Sequence, residues 1–166
     1  MDYNALSAWA AVTASLIAII ALIIESRRTR FQVGVDIFLK FNDRFFENEA
    51  MKIVRRKAAN GILTGKNEEV DDVLDFFEEI GLLLKRKAID EKFVWHSFYH
   101  WVHRYYFLTK SYVDTVRKDD DTIWEDFVWL HDRISNYEKK RRNCSDQDLD
   151  LEESDLKEFL QDEMNV

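Results

Sequence analysis

Residues 5–24 read ALSAWAAVTASLIAIIALII, a run of 20 residues without a charge, a glycine or a proline. No other feature of the chain constrains the fold as tightly. As a helix rising about 1.5 Å per residue the run extends roughly 30 Å, the thickness of a bilayer's hydrocarbon core. It is apolar on every side, whereas a surface helix of a small soluble protein keeps a polar face. The expectation is a transmembrane helix over residues 5–24. Its flanks orient it. Only Asp2 and the chain amine precede the run, whereas Arg27, Arg28 and Arg30 follow it. Positive flanks stay in the cytoplasm, so residues 1–4 are expected outside and everything after the run inside. A cleaved signal has the opposite charge order and a small-residue cleavage site, and neither is present.

The run has a seam of small residues. Ser7, Ala11, Ala14, Ala18 and Ala21 recur at spacings of 4, 3, 4 and 3, and Glu25 continues the series. In lipid, helices associate where small side chains let backbones approach, so this seam is a candidate packing or pore-lining face of a homo-oligomer. The other reading is that alanine is common in such helices and the seam carries no meaning.

Beyond the run, fold class follows from periodicity. The chain has no proline, and its four glycines stand at positions 34, 61, 65 and 81. Long stretches with few breakers predict an all-α protein: one N-terminal transmembrane helix, a cytosolic helical bundle over residues 25–142 and an acidic tail over 143–166. A helix is expected over 26–59, interrupted near Gly34, with turns at Asn60-Gly61 and Thr64-Gly65. A second is expected over 67–87 with Gly81 at a close crossing. A third covers 91–117 with Asp90 as its N-cap, and a fourth covers 122–142, opened by the aspartates at 119–121. A short helix with Leu156, Phe159, Leu160 and Met164 on its apolar face is expected in the tail. The lone Cys144 excludes an intrachain disulfide and fits a reducing compartment.

The stretch from Val73 to Asp90 (VLDFFEEIGLLLKRKAID), followed by Phe93-Val94-Trp95 and a Trp/Tyr-rich helix, resembles the core of a bacterial domain-of-unknown-function family, number four-seven-six-zero. That resemblance implies one N-terminal span followed by a cytosolic helical domain. The family has no agreed activity, so no catalytic residues come with it. More loosely, the plan resembles the small membrane effectors of two-gene phage-defence systems, the Hailong type included. In those, a nucleotidyltransferase makes an oligonucleotide that controls an ion-conducting partner.

Charge singles out candidate binding residues. The net charge of −8 resides in residues 143–166, where nine acids accompany only Lys157; the 23 acids and 23 bases before them cancel. Two basic clusters, Lys52, Arg55, Arg56 and Lys57, and Lys139, Lys140, Arg141 and Arg142, are candidates for binding the phosphates of a nucleotide or oligonucleotide, with aromatics at hand for stacking. The bland alternative is surface charge balanced by local acids. The tail likewise has two readings: a disordered solubilising segment, or an internal mimic that occupies a basic surface in competition with an anionic ligand. His96, His100 and His103 share a helix face, compatible with a solvated stripe, a pH sensor or, least well, a metal site. Glu78 and Glu79 point apart on a helix and make a poor acid/base pair. No phosphate loop, zinc-protease or serine-hydrolase motif is present. No enzyme activity, metal or cofactor is expected. The function these observations favour is an oligomeric single-pass membrane effector of the bacterial inner membrane, ion-conducting and controlled by an anionic ligand. The alternative is a membrane-tethered module that binds a partner protein.

Overall fold

In the computed structural model, the chain is described over residues 3–145 and 147–166, with side chains described for residue 13 and from residue 15 onward. Among these residues there are six α-helices and no strand: α1 Tyr3–Phe46, α2 Glu49–Thr64, α3 Asp71–Lys85, α4 Glu91–Val116, α5 Glu125–Arg142 and α6 Glu153–Met164. Short 3-10 turns at Asn67–Val70 and Gln147–Leu149 lead into α3 and α6.

α1 is one unbroken helix of 44 residues, about 66 Å long. The expected interruption at Gly34 does not occur. The break comes instead at Asn48, whose side chain accepts hydrogen bonds from the Ala50 and Met51 amides at 2.9 and 3.2 Å and so caps α2. Asn60-Gly61, read from sequence as a turn, is helical. Gly61 is required there by packing, because a Cβ would lie 2.6 Å from the Lys66 carbonyl oxygen. The stop comes at Gly65, in the left-handed conformation at φ 77°. Asp90 caps α4 as expected, accepting from the Lys92 amide at 2.8 Å. The aspartates at 119–121 form a turn in which Asp120 binds Thr122, and α5 starts only after Trp124.

The two halves of α1 have different surroundings. From Ser15 to Val33 every described residue is exposed, Ile17 at 67 % and Leu22 at 70 % among them. Among the described residues, no helix is long and apolar enough to cross a membrane; part of the 5–24 run lies outside the described side chains. From Gly34 onward α1 packs against the bundle, ending at the fully buried Phe45. That ring is the hub of an aromatic core, with centroids at 5.1 Å to Phe76, 5.6 Å to Phe98 and 5.6 Å to Trp101. α3 contributes Val73, Leu74, Phe76, Phe77 and Ile80, all at 0 % exposure, to the same core. It crosses α5 at Gly81.

The tail is not a loose segment. α6 lies against α2 and α4, with Phe159 and Leu160 buried and the Phe159 ring edge-on to Tyr105 at 5.3 Å. The disordered reading is corrected for Glu153–Met164: two apolar side chains and one buried acid dock a helix that its surface charge alone would leave solvated.

Gly81 provides a test of the α3–α5 crossing. A Cβ there would sit 2.2 Å from the Asp126 carbonyl oxygen, a backbone atom that cannot rotate away. Gly81→Ala is expected to cost about 3 kcal/mol through overpacking and Gly65→Ala about 1 kcal/mol through its positive φ. Thermal denaturation of the two variants should preserve that order.

Candidate functional site

Arg55 sits at the centre of the molecule's most elaborate polar network. It lies on the same face of α2 as Met51, Ala58 and Ala59, so its side chain is carried inward and is 3 % exposed. Its guanidinium donates to both oxygens of Glu163 on α6, Nε to Oε2 at 2.8 Å and Nη2 to Oε1 at 2.5 Å. Its third nitrogen donates to the Phe45 carbonyl at 3.2 Å, and its carbon lies 4.4 Å above the Phe45 ring. Glu163, 2 % exposed, also accepts from the Tyr105 hydroxyl at 2.8 Å and the Trp101 indole at 3.1 Å. Burial, reinforced by the Glu163 charge, pushes the Tyr105 phenol far above its ordinary range, so it stays a donor. Four helices meet here: the base of α1, α2, α4 and α6.

The sequence grouped Arg55 with Lys52, Arg56 and Lys57 as a phosphate-binding surface. With α6 docked, the structure removes Arg55 from that surface, because its fork is filled by a carboxylate. Lys52 is paired with Glu49 at 2.9 Å, while Arg56 and Lys57 are exposed. The second cluster is engaged differently. Arg141 makes a two-pronged contact with Glu138, both bonds 2.9 Å, and its guanidinium lies 4.9 Å from the Trp95 ring. Arg142 also pairs with Glu138, whose carboxyl is held below the usual range chiefly by Arg141. Lys139 is half-buried and Lys140 exposed. A tail acid does occupy a basic group, Arg55, while Arg141 and Arg142 pair within their own helix. Position carried the missed signal: Arg55 falls on the face of Met51 and Ala58, and Glu163 on the face of Phe159 and Leu160.

In the seam, Ala18, Ala21 and Glu25 are exposed, and Ser7, Ala11 and Ala14 lie outside the described side chains. Ile17 and Ile20 are exposed as well, so α1 carries both faces clear of the bundle.

His96 and His100 are exposed, but His103 is 4 % exposed and is no part of a solvated stripe. Its Nε2 lies 2.8 Å from the Leu149 carbonyl and its Nδ1 lies 3.1 Å from Nε2 of His131 on α5. A carbonyl only accepts, so the network assigns the proton to Nε2 of His103, leaving Nδ1 to accept from His131. His131 stacks on Tyr106 at 3.6 Å. Burial lowers the pKa of both rings, that of His103 to about 4. The pair thereby ties α4 and α5 to the turn that leads into α6. Among the described residues, no group of three His, Cys, Asp or Glu side chains is placed to hold a metal ion.

The arrangement defines a class of protein: an all-helical bundle built in line with a long, apolar-led N-terminal helix and clasped by a buried ion pair. Residues 5–134 match the family described as domain of unknown function (DUF4760), and the chain belongs to that family. The matched stretch runs from α1 into α5, and α6 with Glu163 lies beyond it. No curated protein and no solved structure matches the chain.

Two outcomes test this geometry. Glu163→Gln leaves the Arg55 cation buried without its counter-charge and is expected to destabilise by about 3–5 kcal/mol. Hydrogen exchange should show α6 opening before the α3–α5 core. The second concerns pH. His103, ordinarily near 6.5, is folded near 4, so the unfolded chain takes up protons first as the medium acidifies. Its stabilisation is present above pH 6.5 and is lost as the pH falls toward 4. Denaturant titrations at pH 7 and pH 5 should show a fall that is smaller in His103→Gln.

Proposed function

We propose that the chain is a single-pass membrane effector whose bundle controls the state of its N-terminal helix. The observation that carries this reading is the continuity of α1. One helix runs from the exposed apolar residues around Ile17–Ile24 to Phe45 in the centre of the core. Residues 5–24 are the span, with the N-terminus outside and the bundle on the cytoplasmic face of a bacterial inner membrane. The seam of Ser7, Ala11, Ala14, Ala18, Ala21 and Glu25 assembles copies into an ion-conducting bundle.

Control comes from the clasp. Arg55 holds the Phe45 carbonyl on one side and Glu163 on the other. An anionic ligand of the nucleotide or oligonucleotide type, drawn by Lys52, Arg56 and Lys57, replaces the Glu163 carboxylate at Arg55 and frees α6. The proposed place in anti-phage defence rests on the resemblance in plan alone.

Liposome conductance tests this reading. The wild-type chain is expected to be quiet, and Glu163→Gln to conduct without any ligand. Ala14→Leu or Ala18→Leu, which add bulk to the packed face, should abolish that current, while Ile17→Leu or Ile20→Leu should not. Silence in every variant would leave the span an anchor and the protein a tethered interaction module. A reporter fused after Val166 should be active only in the cytoplasm.

A further inference from the structure

At the other end of the bundle from the clasp, α1 and the α3–α4 turn enclose a cleft of about 570 Å³. Its closed end is made by contact between backbones. Gly34 allows α1 to approach the turn so closely that a Cβ there would sit 2.7 Å from the Ala88 carbonyl oxygen. Phe31, Phe93 and Trp129 give the cleft aromatic walls, and Arg30 and Lys87 bring positive charge to it.

The other cations of the cleft are already paired. Lys85 binds Glu125 and Asp126 at 2.6 and 2.8 Å, Arg133 binds Glu91 at 2.7 Å, and Asp90 caps α4. Arg30 and Lys87 are exposed and, among the described residues, have no carboxylate partner. Two cations without a carboxylate partner, against the single unpaired acid Asp90 and between aromatic walls, favour an anion with an apolar part. The position of the cleft decides what that apolar part is. Arg30 is six residues past Ile24, about 9 Å along the helix axis. It is also shared with a shallower groove of about 350 Å³ that runs up α1 past Arg27 and Ser26 to Ile23, Leu22 and Ile19. Arg30 thus stands where the cleft meets a groove that leads onto the apolar run.

We infer that the cleft binds the phosphate of an anionic phospholipid between Arg30 and Lys87, with an acyl chain lying along the Ile19–Leu22–Ile23 groove. Basic recesses at the cytoplasmic edge of a span hold acidic headgroups by the same combination of fixed cations and apolar contact. The inference rests on the membrane reading above for its setting, but the site itself consists of residues whose positions are described. It adds to that reading a lipid requirement at the point where α1 leaves the apolar layer, remote from Arg55.

The test uses the full chain in detergent solution and four probes: dihexanoyl phosphatidylglycerol, dihexanoyl phosphatidylcholine, sn-glycerol 3-phosphate and inorganic phosphate. Binding is read by native mass spectrometry and calorimetry. The wild type is expected to hold the phosphatidylglycerol in preference to the other three. Arg30→Gln with Lys87→Gln should weaken it roughly 30-fold, the effect of two cations near a phosphate, and each single change should weaken it less. Arg86→Gln, which removes an exposed cation beside the cleft, should leave binding unchanged. Equal affinity for glycerol phosphate and the lipid would make this a site for a soluble phosphate ester and overturn the inference. So would unchanged lipid binding in the double variant, whose helicity by circular dichroism reports its fold. Flotation of the wild type with phosphatidylcholine vesicles separates the two readings. Lipid selection without flotation keeps the site and removes the span, whereas flotation without selection keeps the span and removes the site.

Discussion

One buried ion pair joins the C-terminal helix of this chain to its middle and, through the Phe45 carbonyl, to the end of α1. Taking a guanidinium and a carboxylate out of water costs several kcal/mol per ion, and their attraction offsets that only when every remaining hydrogen-bonding position is filled. Here the two Glu163 oxygens receive four donors, two from Arg55 and one each from Tyr105 and Trp101. Arg55 sends its last branch to the Phe45 carbonyl. A pair of apolar residues in the same volume would hold α6 with comparable strength and far less selectivity. Only a helix that presents a carboxylate at this depth, three and four positions beyond Leu160 and Phe159, completes the network. The pair makes the docking of α6 specific and, through Phe45, mechanically continuous with α1.

The aromatic core explains why that continuity is stiff. Phe45, Phe76, Phe77 and Phe98 are each fully buried, and their rings meet in stacked, tilted and edge-on pairs with centroids between 5.1 and 6.0 Å. Rings in such arrangements have few alternative packings. Gly81 locks the neighbouring crossing by removing even a methyl group from the space between α3 and α5. The C-terminal half of α1 therefore moves with the bundle as one body.

Much of the fold was legible in the sequence because helix periodicity and caps act locally. The face of α3, the Asp90 cap and the crossing at Gly81 needed no knowledge of distant residues. What escaped was whatever depended on partners far along the chain. Asn60-Gly61 looks like a turn, but only the Lys66 carbonyl folding back over it shows why a glycine stands there. Arg55 looks like one of four surface cations, and its burial is decided by an acid 108 positions away. His103 is indistinguishable from His100 by spacing, and its inward course depends on His131 and the Leu149 carbonyl. Of the two basic clusters only Arg55 leaves the surface, because a linear pattern gives the sign of a charge and not the partner it meets.

The length of α1 has a geometric corollary. A rigid rod of about 66 Å gripped at one end by a stiff core is a lever, and levers convert small angles into large strokes. A tilt of about 5° at Gly34 sweeps the far end of the free arm, residues 3–33 and about 46 Å long, through about 4 Å. Sub-ångström adjustments around the Phe45 carbonyl are therefore scaled up, with no hinge along the helix at Gly34 to absorb them. The glycine that might have served as a joint is instead pressed against the Ala88 carbonyl, which acts as the lever's fulcrum.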